Sequence, residues 1–261
     1  MEDFFLGPAS LFSAPHLVSV TVTLAIFITV AVLLGKKFKG DTKKQNIVMI
    51  ISAILIVGFQ VAKMIYLLAR TDNIGDCLIG NAPLYFCDIM IYIIPITVFV
   101  RGRAKDCCYD FIAICGLLMG FMGNYFAGNI YNGTDSAFSF LAINSLINHS
   151  ISAFVSMFVF VSGLNKMEKR NIPFVVGILF VYMTFALIMA YITGKNYMFY
   201  FRGDGTPFTI FFDLVGGNLA PYQIIIYVLQ CGYIGLFYLV YYYTIKLVKY
   251  VKEKRALSEA K

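Results

Sequence analysis

The chain has 261 residues, of which 60% are hydrophobic and only 13% are charged. Soluble domains are about 45–50% apolar and about 25% charged, and the mean hydropathy here is +0.79. This composition excludes a soluble enzyme, a nucleic-acid-binding domain and a disordered chain. The hydrophobic residues suffice for seven spans of about 20 residues each, so we expect a polytopic membrane protein.

Seven apolar runs are long enough to cross a bilayer as helices, and none alternates like a β-barrel strand. The predicted fold class is therefore all-α, a single transmembrane helical domain with a basic tail at 246–261. The first run follows Glu2 and Asp3 and lacks a basic n-region, which favours a retained span over a signal peptide. The predicted spans are 16–35, 47–68, 84–100, 107–126, 141–162, 174–192 and 221–245.

The basic residues indicate an orientation, because the cytoplasmic connections of membrane proteins carry the excess of Lys and Arg. Seventeen of the 21 Lys and Arg residues lie in the tail or in the connections after the first, third and fifth spans. The opposite side has only Arg70, Lys195 and Arg202, and Lys63 lies within the second span. The sequence therefore predicts an outer N-terminus and a cytoplasmic C-terminus. Topology then explains the net charge of +7 without a nucleic-acid partner.

Polar residues within the predicted spans gather at one depth. They normally face a protein interior or a cavity, because hydrocarbon does not solvate them. At 1.5 Å per residue, Lys63 lies about 7–8 Å, Cys87 and Asp88 about 5–6 Å, and His149 about 12 Å from the predicted outer ends. The inner halves are expected to be nearly free of buried charge, so the sequence predicts a site in the outer half. The polar residues are Gln60, Lys63, Cys87, Asp88, Asn124, Asn144, Asn148, His149, Tyr222 and Gln223.

These residues allow structural as well as chemical interpretations. Lys63 and Asp88 are expected to form a salt bridge, which either fixes helix register or tunes a neighbouring reactive group. His149 is either a packing residue or a general base. Cys87 is the one thiol at comparable depth, and a thiolate beside an imidazole attacks acyl carbonyls. A disulfide with Cys77, predicted on the same side, is the rival for that thiol. Two histidines and no CxxC pattern predict neither a metal nor a cofactor.

Several segments resemble YwaF-type bacterial integral membrane proteins. Pro83-Leu84-Tyr85-Phe86-Cys87-Asp88 resembles their P-L-x-L-C-D segment, and Asn148-His149 matches their histidine in order and distance. The resemblance runs from about Pro83 to the last span, whose approach, Gly217–Tyr222, lacks the tryptophans usual in these proteins. They are distantly similar to the eukaryotic transmembrane protein 164, a multi-pass acyltransferase that remodels ether phospholipids. Further matching segments are Asn196–Met198, Phe199–Arg202, Phe211–Gly216 and Pro221-Tyr222.

This resemblance implies a lipid acyltransferase or acyl-ester hydrolase in the bacterial plasma membrane, with a phospholipid as substrate. By motif position, Cys87 would be the nucleophile and His149 the general base, through a thioester intermediate. Around this pair, Asp88 and Lys63 are expected to set the local electric field. The residues expected to stabilise an oxyanion are Asn124, Asn144 or Asn148, and those expected to bind or cover substrate are Asn196, Tyr197, Arg202 and Tyr222.

A second interpretation is a small-solute transporter or channel whose polar cavity is lined by the same residues. A pore needs polar groups at every depth, whereas a site for lipid needs them at one depth only. A third interpretation is a receptor or an assembly factor that acts through its outer loops. The concentration of polar residues in the predicted outer half favours the lipid enzyme.

Overall fold

The computed structural model describes residues 7–128 and 130–259, and these are helical apart from connections and one two-stranded sheet. Its two antiparallel strands, Pro8–Ser10 and Asn132–Ser136, join the N-terminal segment to the connection between the helices Gly102–Tyr125 and Phe140–Ser162. The sequence patterns did not predict this sheet. The elements are β1 (Pro8–Ser10), α1 (Ala14–Lys37), α2 (Thr42–Leu68), α3 (Ile74–Gly80), α4 (Ile89–Phe99), α5 (Gly102–Tyr125), β2 (Asn132–Ser136), α6 (Phe140–Ser162), α7 (Ile172–Thr193), α8 (Phe208–Leu214) and α9 (Leu219–Glu259).

Six helices of the described chain are long and apolar enough to cross a membrane: α1, α2, α5, α6, α7 and α9. Their outward faces carry large exposed apolar side chains, among them Ile54, Val181 and Ile192, each at least 65% exposed. Such faces suit a hydrocarbon environment, and the all-helical membrane protein predicted from the composition is confirmed. The count of seven spans and the orientation stay predictions.

The third predicted span, 84–100, is not one continuous transmembrane helix. A 3-10 turn at Phe86–Asp88 leads into α4, and together they have 14 residues. At 1.5 Å per residue they extend about 21 Å, less than the roughly 30 Å of a hydrocarbon core. Tyr85 is extended, with φ −89° and ψ 164°. Since Pro83 also disfavours a helical residue before it, the apolar run contains a break that hydrophobicity alone does not show.

The last helix is longer than its predicted span of 221–245. α9 has 41 residues and continues to Glu259, so most of the basic segment predicted as a separate tail is helical. Its length of roughly 60 Å is about twice the thickness of the hydrocarbon core. Lys and Arg are good helix formers, so the sharp change in charge after Ile245 does not end the helix.

α5 and α6 form the centre of the bundle. In the most apolar 18-residue segment of each long helix, 67% of the segment is buried in α5 and 56% in α6. The share is 17–28% in the other four long helices. α6 packs against α1, α2 and α5, and α4 lies between α2 and α5. α5 and α6 are therefore the long helices most completely enclosed by protein.

Glycines allow α5 and α6 to approach closely. A Cβ placed on Gly116 would lie 2.8 Å from the Ser152 carbonyl oxygen, and one on Gly120 would lie 2.6 Å from Ala153 Cβ. Small residues spaced four apart bring helix backbones together in membranes, where helix association depends on van der Waals packing. The pattern was present in the sequence as Gly116-x-x-x-Gly120-x-x-Gly123.

Asp110 on α5, at the predicted inner side, is fully buried and is an exception to the expectation that the inner halves are nearly free of buried charge. Its carboxylate accepts the backbone N–H groups of Lys166 and Met167 at 2.8 Å and the side-chain amide of Asn171 at 2.8 Å. Tyr238 Oη of α9 donates to it at 3.3 Å. Asp110 thus ties the connection between α6 and α7 to the bundle, and this hydrogen bonding offsets the cost of its burial.

We predict that Gly120→Val destabilises the bundle far more than Gly177→Val. Both glycines lie inside long helices, so both changes have the same intrinsic effect on the helix. A side chain at 120 would overlap α6, whereas nothing lies within 4 Å of a Cβ at 177. Overpacking costs about 1–3 kcal/mol, measurable as a lower unfolding midpoint in thermal or denaturant melts of the purified protein. Equal midpoints for the two variants would contradict the close packing of α5 and α6.

Candidate functional site

Cys87 lies on the 3-10 turn that precedes α4, and hydrogen bonds fix this turn. Tyr182 Oη of α7 donates to the carbonyl oxygens of Pro83 and Tyr85, both at 3.0 Å. The Tyr85 N–H donates to the Asp88 carboxylate at 2.9 Å. These bonds satisfy backbone groups that the break in the helix leaves without partners, as a membrane environment requires. Cys87 is thereby held on a fixed, half-buried turn.

The thiol of Cys87 is free. Cys77 is also free, so the structure does not contain the disulfide that the sequence allowed between them. Within the described residues no group of three or more His, Cys, Asp or Glu is placed to hold a metal ion. The chemistry available at this turn is therefore that of a thiol beside a carboxyl group.

His149 lies on α6, one turn after Ser145, and its two ring nitrogens have different surroundings. Nδ1 lies 2.8 Å from the Ser145 carbonyl oxygen. A carbonyl only accepts, so in the neutral imidazole Nδ1 carries the proton and Nε2 carries the free electron pair. No hydrogen bond to Nε2 occurs among the residues that the structure describes. Nε2 is therefore the nitrogen that can accept a proton.

The imidazole of His149 rests on the backbone of α5 at Gly123. A Cβ at this position would lie 2.0 Å from Cδ2 and 2.3 Å from Nε2 of the ring. Any residue larger than glycine would force the imidazole to move. Gly123 and Ser145 were not among the predicted site residues. The sequence features that could have indicated them are the glycine pattern on α5 and the position of Ser145, four residues before His149.

Lys63 connects the elements of the site electrostatically. It lies near enough for its charge to act on Cys87 and Asp88, on the turn before α4, and on His149 of α6. The predicted salt bridge is not a direct contact, since Lys63 and Asp88, both described, form no ion pair within 4.0 Å. Cys87 Sγ and His149, also both described, share no hydrogen bond. Lys63 is their common neighbour.

Two of the three predicted oxyanion donors are already engaged. The Asn124 side-chain amide donates to Ser150 Oγ at 3.3 Å, and that of Asn144 donates to the Phe59 carbonyl oxygen of α2 at 2.8 Å. These bonds hold α5 and α2 against α6. Asn148 Oδ1 and Asn144 Oδ1 are buried without a partner in the described structure. Only Asn148 keeps a side-chain amide that makes no hydrogen bond within the described chain.

The loop between α7 and α8 covers the Cys87 turn with aromatic side chains. Tyr197 is fully buried, its hydroxyl donates to the Ile79 carbonyl oxygen, and its ring lies 6.2 Å from that of Tyr85. The ring of Phe199 lies 5.5 Å from that of Tyr85. Met198 and Phe199 have positive φ angles of 54° and 61°, which are unusual for residues with side chains. The loop therefore has a specific, strained conformation over the turn.

Asn196 and Arg202 stabilise this loop from within. The Asn196 side-chain amide donates to the Arg202 carbonyl oxygen and to the Asp204 carboxylate, both at 2.8 Å, and its oxygen accepts the Phe201 N–H. The Arg202 guanidinium pairs with Asp204 at 2.6 Å. Tyr222, predicted to contact substrate, is fully buried, and its hydroxyl has no partner in the described structure.

His16, at the end of the first predicted span, has a structural role. It is fully buried, and its ring centroid lies 4.1 Å from that of Tyr131. The Phe12 N–H donates to its Nδ1 at 3.0 Å, and Nε2 lies 2.9 Å from the Asn124 carbonyl oxygen. Both ring nitrogens therefore have backbone partners, so His16 joins α1 to α5 and has no nitrogen left for chemistry.

We predict opposite neutral tautomers for the two histidines. The hydrogen bonds place the proton on Nδ1 of His149 and on Nε2 of His16. Solid-state NMR of the protein labelled with ¹⁵N-histidine distinguishes the tautomers by the shifts of the protonated and bare nitrogens. The set of signals that is lost in His16→Gln belongs to His16, and the remaining set belongs to His149. An Nε2-protonated His149 would contradict its role as a base through that nitrogen.

The model of the TMEM164 family matches residues 11–241. No curated protein and no solved structure matches the chain. The matched range includes α1 and α2 and every residue of the site just described, so it extends beyond the segments that carried the resemblance in the sequence. The bacterial subgroup and a bacterial membrane stay predictions. Most of the chain is matched by this model, and the protein belongs to the TMEM164 family, as an integral membrane protein with several membrane-spanning helices.

Proposed function

We propose that this protein transfers or hydrolyses the acyl groups of membrane phospholipids, with Cys87 as nucleophile and His149 as general base. The observation that carries the proposal is the environment of the imidazole. The Ser145 carbonyl oxygen engages Nδ1, so Nε2 is the basic nitrogen, and Gly123 fixes the ring from the other side. Membership of the TMEM164 family supports the same assignment.

The reaction divides into two acyl-transfer steps. Cys87 Sγ attacks the ester carbonyl carbon while its proton passes to His149 Nε2, and the carbonyl oxygen becomes an oxyanion. The C–O bond of the ester then breaks, and Nε2 returns the proton to the leaving alkoxide, which leaves a thioester on Cys87. An acceptor alcohol or water gives its proton to Nε2 and attacks the thioester, and the thiol is restored.

Access from the lipid phase fits the position of the site. Val61 and Ile65, on either side of Lys63 in α2, are 49% and 63% exposed and present apolar surface. A phospholipid moving in the bilayer plane would reach the polar groups past this surface with its chains still in hydrocarbon. The loop with Tyr197 and Phe199 closes the site on the predicted outer side. The substrate must bring Sγ and Nε2 within hydrogen-bond reach, as catalytic bonds often tighten only in the complex.

The transporter alternative gains no support from Asp110. This carboxylate is the buried charge nearest the predicted inner side, and four donors from the connection between α6 and α7 and from α9 already occupy it. A group satisfied in this way stabilises the bundle and offers no binding step for a solute. A conducting path would need polar groups free to bind at successive depths.

We predict that Cys87→Ala and His149→Ala each lower acyl release from a phospholipid with a radiolabelled sn-2 chain by about 100-fold or more. A positioned general base alone contributes about 10²–10⁴-fold. The assay uses purified protein in nanodiscs, with circular dichroism to verify folding. Cys77→Ala is the matched control, because Cys77 is also free and lies on the same predicted side. Full activity in a folded Cys87→Ala variant, or equal losses in both cysteine variants, would contradict the proposal.

A further inference from the structure

The buried stripe of α2 ends in two polar residues. Met49, Ala53 and Ile56 are buried at helical spacing, and Gln60 continues the same face with 8% exposure. Lys63 follows three residues later, and residues three apart lie on one side of a helix. The Asn144 amide bonds to the Phe59 carbonyl oxygen, next to Gln60, so this turn of α2 contacts α6 just before His149. Gln60 and Lys63 therefore belong to the layer that contains the proposed catalytic pair.

Both side chains keep unused hydrogen-bond donors. Gln60 Nε2 is buried without a partner in the described structure. Gln45 on the same helix shows the usual outcome, since its amide donates to the Ser162 carbonyl oxygen at 3.1 Å. A buried donor without a partner destabilises the protein, because the group has lost its hydrogen bonds to water. An unpaired amide beside a lysine thus indicates a place for an acceptor.

Lys63 is also distinguished from the other cations on the predicted outer side. Arg202 pairs with Asp204 at 2.6 Å and Lys195 with Asp76 at 3.5 Å. The Arg70 guanidinium lies 3.7 Å from the centroid of the Tyr66 ring and donates to the Tyr66 carbonyl oxygen. Of the described cations on that side, Lys63 alone has neither a hydrogen bond nor an ion-pair contact.

We propose that Gln60 and Lys63 form an anion-binding site for the carboxyl end of an acyl chain. This inference rests on the proposed function. It gives Lys63 a direct contact with the substrate, in place of the general electrostatic role expected from the sequence. Asn124 and Asn144 each use an amide N–H between helices, so of the three predicted donors only Asn148 is free in the described structure, and Gln60 and Lys63 of α2 would supply the further oxyanion donors. After hydrolysis, the same donors would hold the carboxylate of the released fatty acid. The ligand class is a long-chain carboxylate.

A pair of ligands with identical chains tests the site directly. Binding of radiolabelled oleate and of oleyl alcohol to the protein in nanodiscs is measured at pH 8, with empty nanodiscs subtracted. We expect wild type to bind oleate more tightly than oleyl alcohol. Lys63→Met and Gln60→Leu should each lower the affinity for oleate by about tenfold or more. Binding of oleyl alcohol should not change, and Lys63→Arg should keep most of the oleate affinity.

Gln230→Leu is the matched control for Gln60→Leu. Gln230 is a buried glutamine of α9 whose side-chain atoms also lack partners in the described structure, but no lysine stands beside it on the next turn. We expect it to leave oleate binding unchanged. If Lys63→Met does not fold, Gln60→Leu and the comparison of oleate with oleyl alcohol in wild type still decide the question.

Equal binding of oleate and oleyl alcohol by wild type would overturn the proposed site. So would an unchanged oleate affinity in folded Lys63→Met and Gln60→Leu. Binding of oleoyl-lysophosphatidate is measured in the same way, and an effect of the two variants on this ligand alone would assign Lys63 to a phosphate. Cys87→Ala separates this inference from the proposed function, because it should bind oleate normally. Acyl release retained by Cys87→Ala would end the catalytic assignment and leave the anion site standing.

Discussion

The contact between α5 and α6 determines where the rest of the site can lie. Gly116, Gly120 and Gly123 leave no side chain at three positions of α5, and α6 approaches its backbone there. His149 occupies the last of these gaps, so the packing that holds the bundle together also orients the imidazole. In a membrane the lipid offers no hydrophobic drive for helix association, and such close van der Waals contact supplies it.

A second constraint is the hydrogen bonding of a broken helix inside an apolar protein. The Pro83–Asp88 segment has backbone groups that an uninterrupted helix would satisfy internally. Tyr182 and the Asp88 carboxylate satisfy them instead. Irregular backbone is tolerated at membrane depth only where protein or a cavity surrounds it. The break presents Cys87 at the start of α4 rather than on a helix side, which suits a nucleophile that must reach an ester.

The sequence predicted the helical membrane fold well, because transfer of apolar residues into hydrocarbon dominates the placement of spans. It did not predict the interruption at 84–88, since breaks depend on local hydrogen bonds and not on hydrophobicity. The sequence pattern also missed the buried Asp110 at the predicted inner side, whose burial is offset by donors from segments distant in sequence. Depth along the predicted spans grouped Lys63 with His149, but depth says nothing of direction around a helix. Only the structure therefore shows that the side-chain amides of Asn124 and Asn144 already donate to neighbouring helices.

The central claim is that Cys87 carries an acyl group during turnover. Intact-protein mass spectrometry of the nanodisc protein after incubation with a phospholipid of defined chains tests it most directly. We expect an added mass equal to one acyl chain, located on Cys87 by peptide mapping and removed by neutral hydroxylamine. Absence of the adduct during measurable acyl release, or its location on another cysteine such as Cys77, would contradict the account.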